Sequence, residues 1–163
     1  MDCTCAQFAP LELTRKSINK RIKAAKAILK SLDLLVVDEV SALKLLRCSD
    51  CNQYWQTGRE WNFSNGEYPF QVPAISVQDW LQEAYTQPAA WLIYLAIMEQ
   101  YMAKNILVEG DKQCSVEGCQ RRAIRFSGSC EMHHIEQLQR FGLLPKRPTG
   151  RLFALINNHD LLG

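Results

Sequence analysis

CSVEGCQRRAIRFSGSCEMHH, residues 114–134, is the stretch on which the reading of this chain turns. It carries three cysteines and two histidines, spaced as Cys-x4-Cys, ten residues, then Cys-x2-His. Two ligands on a tight turn make half of a tetrahedral metal cage, and a second pair one helical turn apart closes it. The predicted set is Cys114, Cys119, Cys130 and His133, with His134 as the alternative fourth ligand. His133 at i+3 and His134 at i+4 both lie near the helical face of Cys130, and the commoner x2 spacing favours His133.

Four other cysteines remain, as two close pairs: Cys3 with Cys5, and Cys48 with Cys51. Cys-x2-Cys is knuckle spacing, a turn that aims two thiolates at one point. Seven cysteines and one histidine therefore divide into two four-ligand cages with none left over, and the expected cofactor is two Zn²⁺ ions. Closed four-coordinate sites of this kind are structural. The competing reading keeps Cys3 and Cys5 as free thiols and makes Cys48 and Cys51 a metal-free turn or a redox pair. Redox chemistry is the weaker of these, because strands rather than a helix N-terminus flank the pair.

The chain has 163 residues, 47% hydrophobic and 22% charged, which are values for one globular domain, alone or with a small appendage. The acidic start lacks an apolar h-region, so no secretion signal is expected. The apolar run 89–98 is too short to span a bilayer and stops at Glu99, so no membrane partner is expected. Cysteines without a secretion signal read as metal ligands or reduced thiols, which points to the cytoplasm.

The net charge of +2 hides a segregation. Residues 1–30 carry seven basic groups against Asp2 and Glu12. Residues 31–111 carry four basic against eleven acidic, and residues 112–151 carry eight basic against Glu117, Glu131 and Glu136. An anionic partner for the basic ends, or association of those ends with the acidic middle, would each explain the pattern.

A helix is expected from an N-cap at Thr14 to Leu32, with lysines and arginines opposite a narrow apolar face. Residues 34–37 are strand or helix; so short a run does not decide. Residues 44–47 and 53–56 read as a hairpin across the Cys48–Cys51 turn. Residues 58–66 are a loop or second hairpin. Residues 68–75 are extended, with prolines that suit a sheet edge. Ser76 starts a short helix to Tyr85, and Pro88 opens another to Lys104, apolar nearly all round and expected as the central core helix. Tyr54, Trp55, Trp61, Trp80, Trp91 and Tyr94 read as packing groups ahead of a base-stacking platform. Ala123–Phe126 is a short strand, Cys130–Phe141 a helix ended by Gly142, and 152–162 an apolar tail that docks on the core. The expected domains are 1–110, helical and hairpin, and 111–163, a metal module with a basic tail.

Cys114-Ser-Val-Glu-Gly-Cys119-Gln-Arg-Arg-Ala123, followed by Gly128-Ser-Cys130-Glu-Met-His133-His134, resembles small zinc modules of bacterial and phage proteins written C-x4-C-x-R-x-A…G-x-C-x2-H-Y. The resemblance covers 114–142 and implies a treble-clef-like finger; His134 stands where the family has Tyr. Cys48-x2-Cys51-Asn-Gln-Tyr-Trp-Gln56, with 70–75 after it, is more loosely similar to small bacterial proteins, some associated with toxin immunity. The fold expected is α+β, a mainly helical core with short hairpins held by zinc knuckles and the C-terminal finger.

The expected function is non-enzymatic binding of nucleic acid, with Arg121, Arg122, Arg125, Arg140, Lys146, Arg147 and Arg151 on phosphate oxygens while the metals hold the surface in shape. One alternative is a protein-interaction role, toxin immunity or adaptor, through the acidic middle. Another is an HNH-like nuclease built on His133, His134 and Asn157-Asn158-His159, whose spacing departs from that of such sites. No paired carboxylates, Ser/His/Asp set or phosphate-cradling glycine loop is present in the sequence.

Overall fold

A computed structural model describes residues 3–8 and 13–153 of the chain. Two compact units emerge: the described residues of Met1–Leu92 together with Pro148–Gly163, and Ile93–Arg147. The division falls inside a helix.

The first unit opens with α1 (Arg15–Leu29), capped by Thr14, whose hydroxyl accepts from the Ser17 N–H at 3.2 Å. Four strands follow, β1 (Leu32–Asp38), β2 (Leu43–Cys48), β3 (Tyr54–Glu60) and β4 (Gly66–Val72), paired antiparallel in sequence order. The undecided run at 34–37 is thus strand. Its β-branched Val36 and Val37 suit a pleated surface, and Leu45 and Lys44 pair with them. The turns use left-handed backbone, at Asn52 (φ 60°) between β2 and β3 and at Ser64 and Asn65 (φ 57° and 55°) before β4. β4 lies at the edge, where Pro69 can go without a ladder N–H.

The register sorts the core. Leu46 is opposite Trp55 and Trp55 opposite Gln71; Leu45 is opposite Gln56 and Gln56 opposite Phe70. Alternation along the strands sends these two rows to opposite faces. On one face Leu46, Cys48 and Trp55 pack with Ile28 of α1 and with Cys5. On the other, the fully buried Gln56 amide bonds the polar groups that would otherwise be stranded there. Its oxygen accepts from Trp80 Nε1 at 2.8 Å and from the Tyr85 N–H at 3.0 Å, and its Nε2 donates to the Tyr85 carbonyl at 2.7 Å. Trp80 belongs to α2 (Val77–Gln82), capped by Ser76. α2 is shorter than expected, because Tyr85 leaves the helix to bridge Arg151. There the Arg151 N–H donates to the Ala84 carbonyl at 2.8 Å, and the Thr86 N–H to the Arg151 carbonyl at 3.1 Å. This brings Phe153 onto the Phe70 ring and edge-on to Tyr85. The rest of the predicted apolar tail, 154–162, lies outside the described residues.

The second unit takes the later part of α3 (Pro88–Lys104), then β5 (Glu109–Gln113), β6 (Arg122–Ile124) and α4 (Glu131–Arg140), with Gly142 at φ 74° just past the end. The fold is α+β, as expected, but the expectation of a mainly helical core is corrected. The first unit's core rests on a four-stranded sheet, because the hairpins read piecemeal in the sequence join into one meander. α3 buries Trp91, Tyr94 and Met98 while Ile97 stays 39% exposed, so it is not buried all round.

Candidate metal centres

The C-terminal set is built by two turns. β5 runs into Cys114, whose N–H donates to the Arg121 carbonyl at 2.9 Å, and the Cys119 N–H closes back onto the Val116 carbonyl at 3.0 Å. Gly118 sits at φ 78°, where a side chain would be strained. Gln113 Nε2 clamps the same turn by donating to the Cys119 carbonyl at 3.0 Å. Cys130 is the N-cap of α4, and the first helical turn carries His133 back toward it.

Three sulfurs and one nitrogen converge. His133 Nδ1 lies 3.3 Å from Cys114 Sγ and 3.4 Å from Cys130 Sγ, and Cys119 Sγ lies 3.9 Å from Cys130 Sγ. A tetrahedron with ordinary zinc bond lengths has edges of about 3.8 Å between sulfurs and about 3.5 Å between sulfur and nitrogen. The observed edges fit that cage. The alternative ligand turns elsewhere: His134 Nε2 is 3.2 Å from the Tyr101 hydroxyl.

Electrostatics agree with thiolate ligands. Burial raises the Cys114 thiol, but the N–H groups of Cys130 and Val116, with His133 and Cys119, outweigh it and bring the thiol down to about 6. The turn thus prepares an anion, the form that binds metal.

The second set joins distant parts of the first unit. Cys48 ends β2, and the Asn52 N–H returns to its carbonyl at 3.0 Å, so Cys48 and Cys51 face one way across the turn. Cys3 and Cys5 come from residues 3–8, where Cys5 begins a short 3₁₀ turn. The four sulfurs all lie within 4.8 Å of one another. The N–H of Cys51 holds the Cys48 thiol below its ordinary range against the opposing effect of burial. Cys5 goes the other way, pushed up to about 12 by burial. Trp55 Nε1 is buried without a hydrogen-bond partner, yet it lies close enough to the Cys5 sulfur to favour its thiolate. A bound cation would satisfy both, keeping the sulfur anionic and giving the indole N–H an acceptor.

Each group can therefore hold a metal ion through the residues singled out in the sequence. Sequence reasoning missed the supports. Gln71 Nε2 donates to the Cys5 carbonyl at 2.7 Å, and nothing local in 70–75 signals that role.

The basic residues differ in placement. Arg121, Arg122, Arg125 and Arg140 are exposed, as are Lys146 and Arg147. Arg151 is half-buried and directs its guanidinium to backbone, donating to the Glu83 carbonyl at 3.3 Å and the Asp79 carbonyl at 3.4 Å. No helix among the described residues is long and apolar enough to cross a membrane. Asn157, Asn158 and His159 lie outside the described residues. No protein-family model matches the chain, and no curated protein or solved structure matches it either.

Proposed function

We propose that this chain is a zinc-stapled, non-enzymatic protein that contacts nucleic acid with the loop held between the ligands of the C-terminal site. The observation that carries this reading is Phe126. Its ring is fully exposed, at a backbone φ of 63°, between Arg125 and Ser127. A bulky residue in left-handed backbone is strained, and it persists only where its surroundings over-determine it. Here those surroundings are β6 on one side and the Cys130 ligand on the other. An aromatic ring offered to solvent next to Arg125, in the segment that also carries Arg121 and Arg122, is a stacking surface close in sequence to phosphate-binding groups. Arg140, Lys146 and Arg147 continue the basic run; Arg151, engaged by the Asp79 and Glu83 carbonyls, is not part of the proposal.

Zinc is the metal this donor set suits, since three thiolates and an imidazole at tetrahedral spacing match its preferences. Four protein ligands at each site leave no open position for a reacting water, which supports a structural role over an HNH-like nuclease. The knuckle carried at the turn of the β5–β6 hairpin, followed by the ligand-bearing helix α4, supports the treble-clef-like reading.

The test is an anisotropy titration of the zinc-loaded chain with labelled single-stranded and duplex oligonucleotides over a salt series. Affinity should fall as salt rises, with a log–log slope on the order of one unit per phosphate contact. Phe126→Ala should weaken single-strand binding selectively, and Arg121→Ala with Arg125→Ala should flatten the slope. Salt-insensitive binding, or none, would sink the reading.

A further inference from the structure

The first unit contains a cavity of about 500 Å³ beside the end of β3, lined by none of the metal-ligand residues. Glu60, the last residue of β3, lines it. Glu60 is only 7% exposed, and its Oε1 is buried without a hydrogen-bond partner among the described residues. Gln87 lines the same cavity, and its Oε1 is likewise buried and unpartnered. Both oxygens are closed off from water although their residues line the cavity, so a ligand would reach them by turning these two side chains; unpartnered, each loses water and receives nothing in exchange. Two cations also line the cavity. Lys44, the nearest cation on β2, is engaged by Glu67 at 3.2 Å. Arg59 also lines the cavity, but alternation along β3 sends its side chain to the other face from Glu60. Val37, Leu43 and Ala90 give the wall an apolar part, and Trp61 borders it with a ring that is 77% exposed. Gly58 keeps the strand bare there; a Cβ would meet Leu43 Cδ2 at 2.5 Å and Gln87 Nε2 at 2.6 Å.

We propose that this cavity binds an organic ammonium group, with the Glu60 carboxylate as its counter-ion, Gln87 Oε1 as a second acceptor and the Trp61 ring against its alkyl portion. The chemistry follows from what is unmet among the described residues: acceptor oxygens on Glu60 and Gln87 without donors, a buried carboxyl without an ion-pair partner, and an exposed aromatic face of the kind cations favour. An anion would meet the Glu60 carboxyl, and a neutral apolar ligand would leave both oxygens stranded. The state of Glu60 agrees. Burial holds its carboxyl up at about 7, so without a cation it is part protonated at neutral pH. An ammonium ion entering the cavity would favour the ionised form and release that proton. The other charged groups on the cavity are Glu39, Lys44, Arg59 and Glu67, and Tyr68 lies close enough to feel Glu60's charge.

The test is a titration of the full zinc-loaded chain with n-butylammonium chloride, read by amide and indole NMR shifts, with 1-butanol as the neutral isostere. Saturable shifts confined to Glu60, Trp61, Gln87 and their neighbours are expected, with 1-butanol at least about tenfold weaker. Glu60→Gln keeps the shape and removes the charge; it should weaken the ammonium ion at least about tenfold while retaining two metals per chain. Trp61→Ala, at an exposed position, should weaken it without unfolding the sheet. A second arm uses a blocked Gly-Lys-Gly peptide. Binding as tight as butylammonium assigns the site to a lysine side chain of a partner, and much weaker binding assigns it to a small free amine. Equal response to 1-butanol, no saturable shift, or unchanged affinity in Glu60→Gln overturns the proposal.

Discussion

The side-chain amide of Gln71 donates a 2.7 Å hydrogen bond to the carbonyl oxygen of Cys5, tying the β4 edge to a ligand of the Cys3–Cys51 set. Gln71→Ala should strand that carbonyl and loosen the cage from outside. Loss of an outer-shell partner typically costs 10–100-fold in metal affinity. Competition with a chromophoric chelator should show a loss of about that size at the Cys3–Cys51 set and none at Cys114–His133. Equal affinity at both sets would show that the bond holds only the chain and not the metal.

Two metals per chain are expected by elemental analysis, and Cys48→Ser and Cys114→Ser should each retain one. The consequences should differ. The Ile93–Arg147 unit has only a two-stranded sheet and one short helix besides part of α3, too little core to stand without its metal. Cys114→Ser should therefore collapse the amide dispersion of that unit while the four-stranded sheet's signals persist. A variant with all signals in place and no metal would contradict this.

Gly150 is the tightest point of the return from Pro148 to Phe153. It sits at φ 119°, and an added Cβ would lie 2.9 Å from the backbone N and Cα of Thr86. Gly150→Ala should cost at least about 1–3 kcal/mol, since neither strain nor clash can be relieved at the tip of a flexible chain. Chemical denaturation read by tryptophan fluorescence would measure it. An unchanged midpoint would mean that the Tyr85–Arg151 bridge adds nothing.

Glu60 gives stability a pH dependence in the absence of a ligand. Its folded value, about 7, lies above the ordinary 4.5, so the folded state holds the proton more tightly than the unfolded one. The contribution is complete below about 4.5 and is lost as pH rises to about 7. Metal binding also varies with pH, so wild type and Glu60→Gln are compared with each other at each pH. The variant should gain on wild type between pH 6 and pH 8 by on the order of 1 kcal/mol. A constant difference would place the Glu60 carboxyl at its ordinary value.

The legible parts of this chain were local. Cys114, Cys119, Cys130 and His133 sit within one short stretch, and Thr14, Ser76, Pro88 and Gly142 mark helix ends by residue type alone. The pairing of Cys3 and Cys5 with Cys48 and Cys51 came only from counting what was left over, because no local spacing spans that distance. The single sheet was not legible. Its register depends on pairs such as Gln56 with Phe70, and a hairpin seen alone does not say which strand comes next. Glu60 read as one acid among eleven in the middle of the chain; only the folded sheet shows that it is buried, with Oε1 lacking a partner among the described residues.

The two ligand sets differ in how much chain each must gather, and this gives metal uptake an order in time. Cys114 to His133 spans twenty residues, whereas Cys3 to Cys51 spans forty-nine. The added loop entropy is under about 1 kcal/mol, so equilibrium affinity barely records the difference. Speed does, because the long loop closes only after β2 and β3 have formed and residues 3–8 have come back to meet them. In refolding with one equivalent of metal, the C-terminal set should fill first. Occupancy of Cys3–Cys51 then reports that the sheet is already assembled, and Cys48→Ser should abolish the slow phase of uptake while leaving the fast one.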